Sequence, residues 1–408
     1  MKNKNTLKRT LSLPLITFYG LGNIMGAGIY VLIGKVAGEA GYFAPLAFFV
    51  ASLVAAISAF TYAELSARYP VSAGEAVYLD EGLNIRVLTV GVGLLIIIAG
   101  LVSISALAHG FAGYLSVFID LPHWLVIVST VLLLGMLTIW GIGESVWVAS
   151  IFTVVEIIGL LIIVVLGGDY LADGNVSLEN KVFTLNSVPW VGVFSGAFLA
   201  FFAYIGFEDM VNVAEEVKNP ERNLPRAIII SVVVSTLLYA AVSTVSILII
   251  EPHILATSDA PLADVYQKIT NKTPVLLTAI GLFAVINGVL IQMIMASRML
   301  YGMSKKGWLP SFLSEVNPRT NTPVTSSVIV IVCIVVISMV FPLVTLAHIT
   351  SAIVLFVFAL VNLSLIKIKM INPYPENIHV YSRWIPITGF LITSIFIMIE
   401  MMNQFFIK

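Results

Sequence analysis

Two glycine-interrupted apolar segments contain the residues of this chain that are best suited to hold a small zwitterion. The first has glycines at positions 20, 22, 26 and 28, and the second places Glu208 and Asp209 just after Gly206. Glycine inside a helix costs about 1 kcal/mol relative to alanine, so clustered glycines need a reason. Close helix packing through small residues is one reason, and a deliberate helix break is the other. A dinucleotide-binding loop is excluded, because the glycine spacing is wrong and no strand–helix–strand context surrounds it.

A broken helix exposes the two kinds of group that an α-amino acid requires. Free N–H groups start one half of the helix, and free C=O groups end the other half. The N–H end suits a carboxylate and the C=O end suits an ammonium. Paired breaks at corresponding positions also indicate a transport site made of inverted repeats. The two segments therefore predict an amino-acid site.

The elements that position these groups must be membrane-spanning helices. Of the 408 residues, 59% are hydrophobic and only 11% are charged, whereas soluble domains average about 25% charged residues. Residues 87–119 contain no Asp, Glu, Lys or Arg, and neither do residues 227–250. We expect an all-α integral membrane protein, one domain over residues 1–408, with about eleven spans of about 20 residues or more. The spans are placed at 12–36, 43–67, 87–117, 123–140, 147–167, 190–214, 225–250, 274–302, 323–340, 343–368 and 384–406.

Basic residues predict the orientation of the chain. With the N-terminus inside, sixteen of the 21 Lys and Arg fall on the inner side, a bias that supports this orientation. An odd number of spans then places the C-terminus outside. The sixteen are Lys2, Lys4, Lys8, Arg9, Arg68, Arg86, Lys218, Arg222, Arg226, Arg298, Lys305, Lys306, Arg319, Lys367, Lys369 and Arg383.

Four motifs in order resemble the amino acid–polyamine–organocation (APC) superfamily of transporters. Residues 22–30 (GNIMGAGIY) resemble its helix 1 motif, and residues 62–79 resemble the helix 2 end and the loop after it. Residues 202–227, with FAYIGFE, AEEVKNP and PRA, are the most specific match. Residues 297–310 (SRMLY followed by GWLP) resemble the end of helix 8.

The resemblance implies a leucine-transporter-type fold, with inverted repeats at about 12–167 and 190–368 and one extra helix at about 384–406. Relatives usually have twelve or more helices, and a missing outer helix should affect assembly more than transport. The resemblance also implies that the amides of span 1 hold the substrate carboxylate, that carbonyls of span 6 hold its ammonium, and that the ring of Phe202 or Tyr204 closes as a gate. The implied substrate-binding residues are Ile24, Gly26, Ala27, Gly28, Phe202, Ala203, Tyr204, Ile205 and Gly206.

Glu156 in span 5 is the candidate for coupling. Proton-coupled relatives can carry a lysine near this place, whereas an acid stands here. Burial disfavours the ionised form of a carboxylate, so Glu156 could bind a proton or, when ionised, a cation. The alternative is a structural pair with a neighbouring helix, and Asn287 in span 8 could also face the site.

Glu208 and Asp209 either recognise a cationic side chain or hold the unwound segment. No acid lies in span 3, which favours a neutral substrate.

An inner gate is a further hypothesis. Lys8, Arg9, Glu64, Arg68, Glu208, Glu215 and Glu216 are its candidates, although basic residues that mark topology and nearby acids that aid solubility explain the same pattern. His109 and His348 have no acid three or four residues away, so each is expected to be a packing residue.

The sequence thus predicts a secondary transporter of an amino acid in the cytoplasmic membrane, working by alternating access and coupled to a proton or a cation such as sodium. An exchanger, a polyamine or cationic amino acid transporter, and a non-transporting sensor are the alternatives. No Walker A loop, nucleophile–base pair or Cys/His metal spacing occurs, so we expect no enzyme, cofactor or metal. A net charge of −1 gives no reason to expect nucleic-acid binding. Lipid is the expected surrounding, and the oligomeric state is left open.

Overall fold

A computed structural model describes residues 9–71, 74–140, 146–175, 188–317, 320, 322–376 and 378–406. Within these residues the protein is helical, with one isolated β-bridge between Leu11 and Val217. Four of the predicted inner-side residues lie outside the described residues: Lys2, Lys4, Lys8 and Arg319. The α-helices are α1 (Leu13–Met25), α2 (Ala27–Ala40), α3 (Ala44–Arg68), α4 (Gly74–Leu83), α5 (Arg86–Ser116), α6 (His123–Trp140), α7 (Val146–Ala172), α8 (Trp190–Phe201), α9 (Pro220–Ile249), α10 (Pro252–Thr257), α11 (Pro261–Thr270), α12 (Val275–Lys305), α13 (Val324–Val340), α14 (Leu343–Ile371) and α15 (Trp384–Phe406).

The predicted multi-pass membrane fold is confirmed. Nine helical stretches of the described chain are long and apolar enough to cross a membrane, and one of them, Leu13–Arg68, contains α1, α2 and α3. Val324–Val340 is a shorter apolar helix. Large apolar side chains such as Leu133 and Leu237 are more than half exposed, as expected of residues that face lipid. The count of eleven crossings and the inverted repeats stay predictions.

Some glycines of the first segment allow close helix packing, and one of them breaks the helix. Gly20 and Gly22 lie inside α1, where added β-carbons would fall 2.3 Å from the sulfur of Met210 and 2.1 Å from Oγ1 of Thr153. These two glycines allow close helix packing, whereas Gly26 is the residue at which the helix breaks. The predicted span 12–36 is therefore two helices that reach Ala40, and span 190–214 is α-helical only as far as Phe201.

We call the side of the bundle on which α1 begins the basic side, and the other the opposite side. On the opposite side, the segment that contains α10 and α11 packs against α2. The Lys35 ammonium in α2 donates to the main-chain oxygens of Ala256, at 2.7 Å, and Ser258, at 3.3 Å. A β-carbon added at Gly34 would lie 2.3 Å from the carbonyl oxygen of Leu255. This backbone-close packing seals the end of α2.

On the basic side, the segment before α1 pairs with the segment that precedes α9. The amides of Thr10 and Leu11 donate to the main-chain oxygen of Glu216 at 2.9 and 3.0 Å, and the Lys218 amide donates to Leu11 at 2.8 Å. The two broken spans are thus joined to each other where both reach the basic side.

Candidate functional site

The first break is one residue wide. Gly26 alone separates α1 from α2, with φ −35° and ψ −118°, and its amide donates to the Gly22 carbonyl at 3.0 Å. The N–H groups of the first α2 residues, Ala27, Gly28 and Ile29, have no acceptor within their own helix. This break therefore presents a helix N-terminus, the partially positive end that suits a carboxylate.

The second break is longer and is held by a side chain. A 3₁₀ turn over Phe202–Tyr204 follows α8, Ile205 is extended, and Gly206 has φ 129°. The Gly206 amide donates to Oε2 of Glu208 at 2.8 Å. A 3₁₀ helix, Glu208–Glu216, then continues toward the basic side. Glu208 thus makes a backbone hydrogen bond of the kind expected if it holds the unwound segment.

The two breaks lie directly against each other. A β-carbon added at Gly28 would be 2.6 Å from Cα of Ala203, and one added at Gly206 would be 2.7 Å from the carbonyl carbon of Asn23. No side chain fits between them, so backbone meets backbone. The structure thus brings the predicted residues of spans 1 and 6 into one centre.

Tyr239 of α9 joins the carbonyl ends of both breaks. Its hydroxyl lies 2.7 Å from the main-chain oxygen of Ile24 and 2.9 Å from that of Ala203. The Phe202 carbonyl accepts the Ile205 amide at 3.3 Å. Sequence reasoning missed Tyr239, because nothing in an apolar helix with one tyrosine shows that its hydroxyl faces two carbonyls 215 and 36 residues away.

The two gate rings proposed from the resemblance are both buried. Phe202 is 5% exposed, and Tyr204 is fully buried with its hydroxyl donating to the Phe48 carbonyl of α3 at 3.2 Å. The ring of Tyr204 also lies edge-on to Tyr239, with the ring centres 5.1 Å apart. Their gate role stays a prediction.

Glu156 lies fully buried beside the first break. Its Oε1 accepts a hydrogen bond from Asn287 Nδ2 at 3.3 Å, and its main-chain oxygen accepts one from the Tyr30 hydroxyl at 2.7 Å. Oε2 has no hydrogen-bond partner among the described residues. Because Tyr30 lies near the start of α2, Glu156 is linked to the first break through one tyrosine.

The gate candidates Glu64 and Arg68 belong to a buried ion network on the basic side. Arg68 Nη2 lies 2.7 Å from Glu64 Oε1, and Lys369 Nζ of α14 lies 2.7 Å from Glu64 Oε2. The Tyr381 amide also donates to Glu64 Oε2, at 3.0 Å. The position of Lys369 in the sequence predicts only an inner-side residue, because its contact with Glu64 is made across two helices. The network joins α3, α14 and the segment before α15.

The remaining gate candidates lie elsewhere on the basic side. Glu215 and Glu216 are in the 3₁₀ helix Glu208–Glu216, and the main-chain oxygen of Glu216 accepts the amides of Thr10 and Leu11. Lys8 lies outside the described residues. The gate function of the whole set stays a prediction.

One histidine has a charged partner that sequence reasoning missed. His348 Nδ1 lies 3.0 Å from Glu400 Oε1 of α15, and a search at helical spacing along α14 cannot find a partner on another helix. His109 Nε2, by contrast, lies 3.0 Å from the Ser338 carbonyl, as expected of a packing residue.

Comparison with known proteins identifies the family of this fold and site. The family described as "Amino acid permease" matches residues 11–408. The chain belongs to the amino acid permease family. The permease is 30% identical over 397 residues to "Cationic amino acid transporter 3, mitochondrial" of Arabidopsis thaliana, covering 91% of this chain and 64% of the relative.

Two bacterial relatives carry different names. The permease is 28% identical over 396 residues to "Branched-chain amino acid permease BcaP" of Bacillus subtilis (strain 168), covering 91% of this chain and 83% of the relative. It is 27% identical over 393 residues to "Methylthioribose transporter" of the same organism, with 90% and 83% covered. The permease spans slightly less than two thirds of the length of its plant relatives.

Proposed function

We propose that this permease is a secondary transporter that moves an amino acid across a membrane by alternating access. The observation that carries the proposal is the contact between the two breaks. One presents the N–H end of α2, and the other presents main-chain carbonyls after α8. An α-amino acid has a carboxylate for the first and an ammonium for the second. Family membership supports the same substrate class.

The packing of the two sides supports an arrangement closed toward the opposite side. There, α2 is sealed against the segment of α10 and α11, whereas a cavity lies on the basic side of the second break. We propose that the basic side is cytoplasmic, that the protein lies in the cytoplasmic membrane and that its C-terminus is outside. Release of substrate inward would then require the basic side to open further, because this cavity is too small for an amino acid.

A proteoliposome screen tests the transport proposal. Purified protein is reconstituted and offered each amino acid in labelled form, with and without pH and sodium gradients. Accumulation of at least one amino acid above protein-free liposomes is expected. Uptake only into liposomes preloaded with an amino acid would indicate an exchanger. Binding without flux would contradict transport and would indicate a sensor.

The substrate side chain is proposed to be neutral, with cationic amino acids and polyamines as the second candidate. The relatives do not decide this point, because their names include cationic and branched-chain substrates. Acids at Glu208 and Asp209 lie beside the second break, and Glu208 already binds the Gly206 amide. Uptake of leucine in preference to arginine in the same screen would support a neutral substrate, and the reverse order would contradict it.

We propose that Glu156 is the coupling residue. Its support is a buried carboxylate linked through Tyr30 to the start of α2, with one oxygen lacking a described partner. Glu156→Gln should flatten the dependence of uptake on pH between about 5.5 and about 8, because the amide does not titrate. Glu251→Gln, at an exposed acid on the opposite side, is the control. A pH profile in Glu156→Gln equal to that of the unmutated protein would refute proton coupling at this residue.

A further inference from the structure

A small cavity lies on the basic side of the second break. Its volume is about 60 Å³, and its walls come from α3, α4, α5, α12, α14 and the segment around Gly206. About 10–15 Å³ is enough for one water molecule. The cavity therefore has room for a few waters, but it is far smaller than the 300–1,000 Å³ of typical small-molecule sites.

Three carboxylates line this cavity: Glu75 from α4, and Glu208 and Asp209 from the 3₁₀ helix after the break. Glu75 is 3% exposed and Glu208 is 8% exposed. Among the described residues that line the cavity there is no Lys, Arg or His, and the titratable groups facing Glu75 are Tyr62, Tyr78, Glu208 and Asp209. Without a cation, ionised Glu75 and Glu208, which are both out of water, would repel each other and the partly exposed Asp209 strongly. The cluster needs a positive charge.

Two buried oxygens in the cavity point to a bound species. Oε1 of Gln292 makes no hydrogen bond with the described residues, and the hydroxyl of Tyr62, a residue 1% exposed, accepts none from them, although it faces the Glu75 carboxyl, to which it can donate. Buried polar atoms in proteins nearly always have a partner. The Tyr62 hydroxyl can donate to Glu75, but the amide oxygen of Gln292, the carboxylates and the lone pairs of the hydroxyl all accept, so a species that donates would satisfy the remaining acceptors.

A proton is the positive charge that fits. In the described parts of the chain no group of three acidic, His or Cys residues converges closely enough to hold a metal ion. The cavity is too small for an organic cation of amino-acid size. Burial raises the pKa of Glu75 to about 8, with the nearby charge of Asp209 adding to the effect. Protonated carboxyls can also donate to the unpartnered oxygens.

We propose that Glu75, Glu208 and Asp209 share a proton while the cavity is closed and release it to water when the cavity opens to the basic side. This is a second proton site, separate from Glu156. Because Glu208 holds the Gly206 amide, the charge of the cluster acts on the second break itself. Only the link between this proton and the transport cycle rests on the proposed function.

An infrared titration of the purified full-length protein tests proton binding without any transport assay. In the Glu156→Gln background, which removes the other proposed proton site, the protonated-carboxyl C=O band should be lost as pH rises through the neutral range, and adding Glu75→Gln should remove that change. Glu81→Gln is the matched control, since Glu81 is an exposed acid on the same helix, and its titration should equal that of the unmutated protein. A neutral-range titration that persists in the double variant Glu156→Gln, Glu75→Gln would overturn the proposal.

A second variant and a second readout keep the test decisive if Glu75→Gln folds poorly. Asp209→Asn removes a neighbouring negative charge, so the transition should move to lower pH. Thermal stability should fall as pH rises from about 4.5 to about 8, because folding keeps on Glu75 a proton that the unfolded chain releases. An unshifted transition in Asp209→Asn overturns the shared site. Loss of the band on adding sodium, but not N-methylglucamine, at constant pH would show a metal cation and also overturns it.

The link to transport is read separately. If the proton cycles with substrate, Glu75→Gln should flatten the pH dependence of uptake in liposomes, and Glu81→Gln should not. An unchanged pH profile with a confirmed infrared titration would overturn only this link. Absence of any amino acid uptake by the unmutated protein would instead refute the proposed function.

Discussion

Both helix breaks interrupt an apolar span, but different groups form them and hold them in place. The first is a single glycine between two α-helices, and the Gly26 amide donates to the Gly22 carbonyl. The second runs over several residues, includes a positive-φ glycine and depends on the Glu208 carboxylate. The first break is thus formed by main-chain groups, whereas the second is a segment whose conformation depends on a titratable side chain. The second is therefore the break that protons or substrate can reshape most directly.

Among the proposed substitutions, Gly206→Ala should cause the largest loss of amino acid uptake. A non-glycine residue at φ 129° costs about 1–3 kcal/mol, or about 5- to 150-fold in an equilibrium. The added methyl would also press on Asn23 of α1, so we expect amino acid uptake to fall by at least about tenfold. Initial uptake rates in proteoliposomes measure the effect.

Gly91→Ala is the control for this change. A β-carbon at Gly91 in α5 meets nothing within 4 Å, and alanine favours a helix. Uptake should stay at the unmutated level. If Gly206→Ala transported as well as Gly91→Ala, the second break would not require its glycine and the contrast between the breaks would fail.

A pair of substitutions at Glu208 separates its hydrogen bond from its charge. Glutamine keeps an oxygen that can accept from the Gly206 amide, whereas alanine leaves that buried amide without its acceptor at a cost of about 1–3 kcal/mol. Glu208→Ala should therefore have lower uptake and a lower melting temperature than Glu208→Gln. Equal losses in both variants would show that charge alone matters and that Glu208 does not hold the break.

The sequence was sufficient to predict the helices and the approximate places where two of them break, because long apolar runs and clustered glycines are local signals. It did not predict which residues complete the centre. Glu64 and Lys369 are 305 positions apart, and Glu75 reaches Asp209 from a short helix between two spans. The apolar faces of different spans have similar side chains. Their periodicity therefore shows which residues share a helix face, but not which neighbouring helix that face contacts.

The smallest expected effect belongs to Tyr239→Phe, which tests whether the two breaks act as one site. The hydroxyl supplies one proton to two carbonyls, those of Ile24 and Ala203. Removing it leaves both with one donor fewer, which should lower the stability of the substrate-free protein by about 0.5–1.5 kcal/mol, the net contribution of one hydrogen bond.

A substrate ammonium has three N–H donors and could replace the missing hydroxyl at the same carbonyls. The rise in melting temperature on adding a transported amino acid should therefore be larger in Tyr239→Phe than in the unmutated protein. Tyr301→Phe on α12 is the control, because its hydroxyl contacts the exposed Lys305 instead. An equal rise in all three proteins would mean that the ammonium does not bind at these carbonyls, and the first break alone would then hold the substrate.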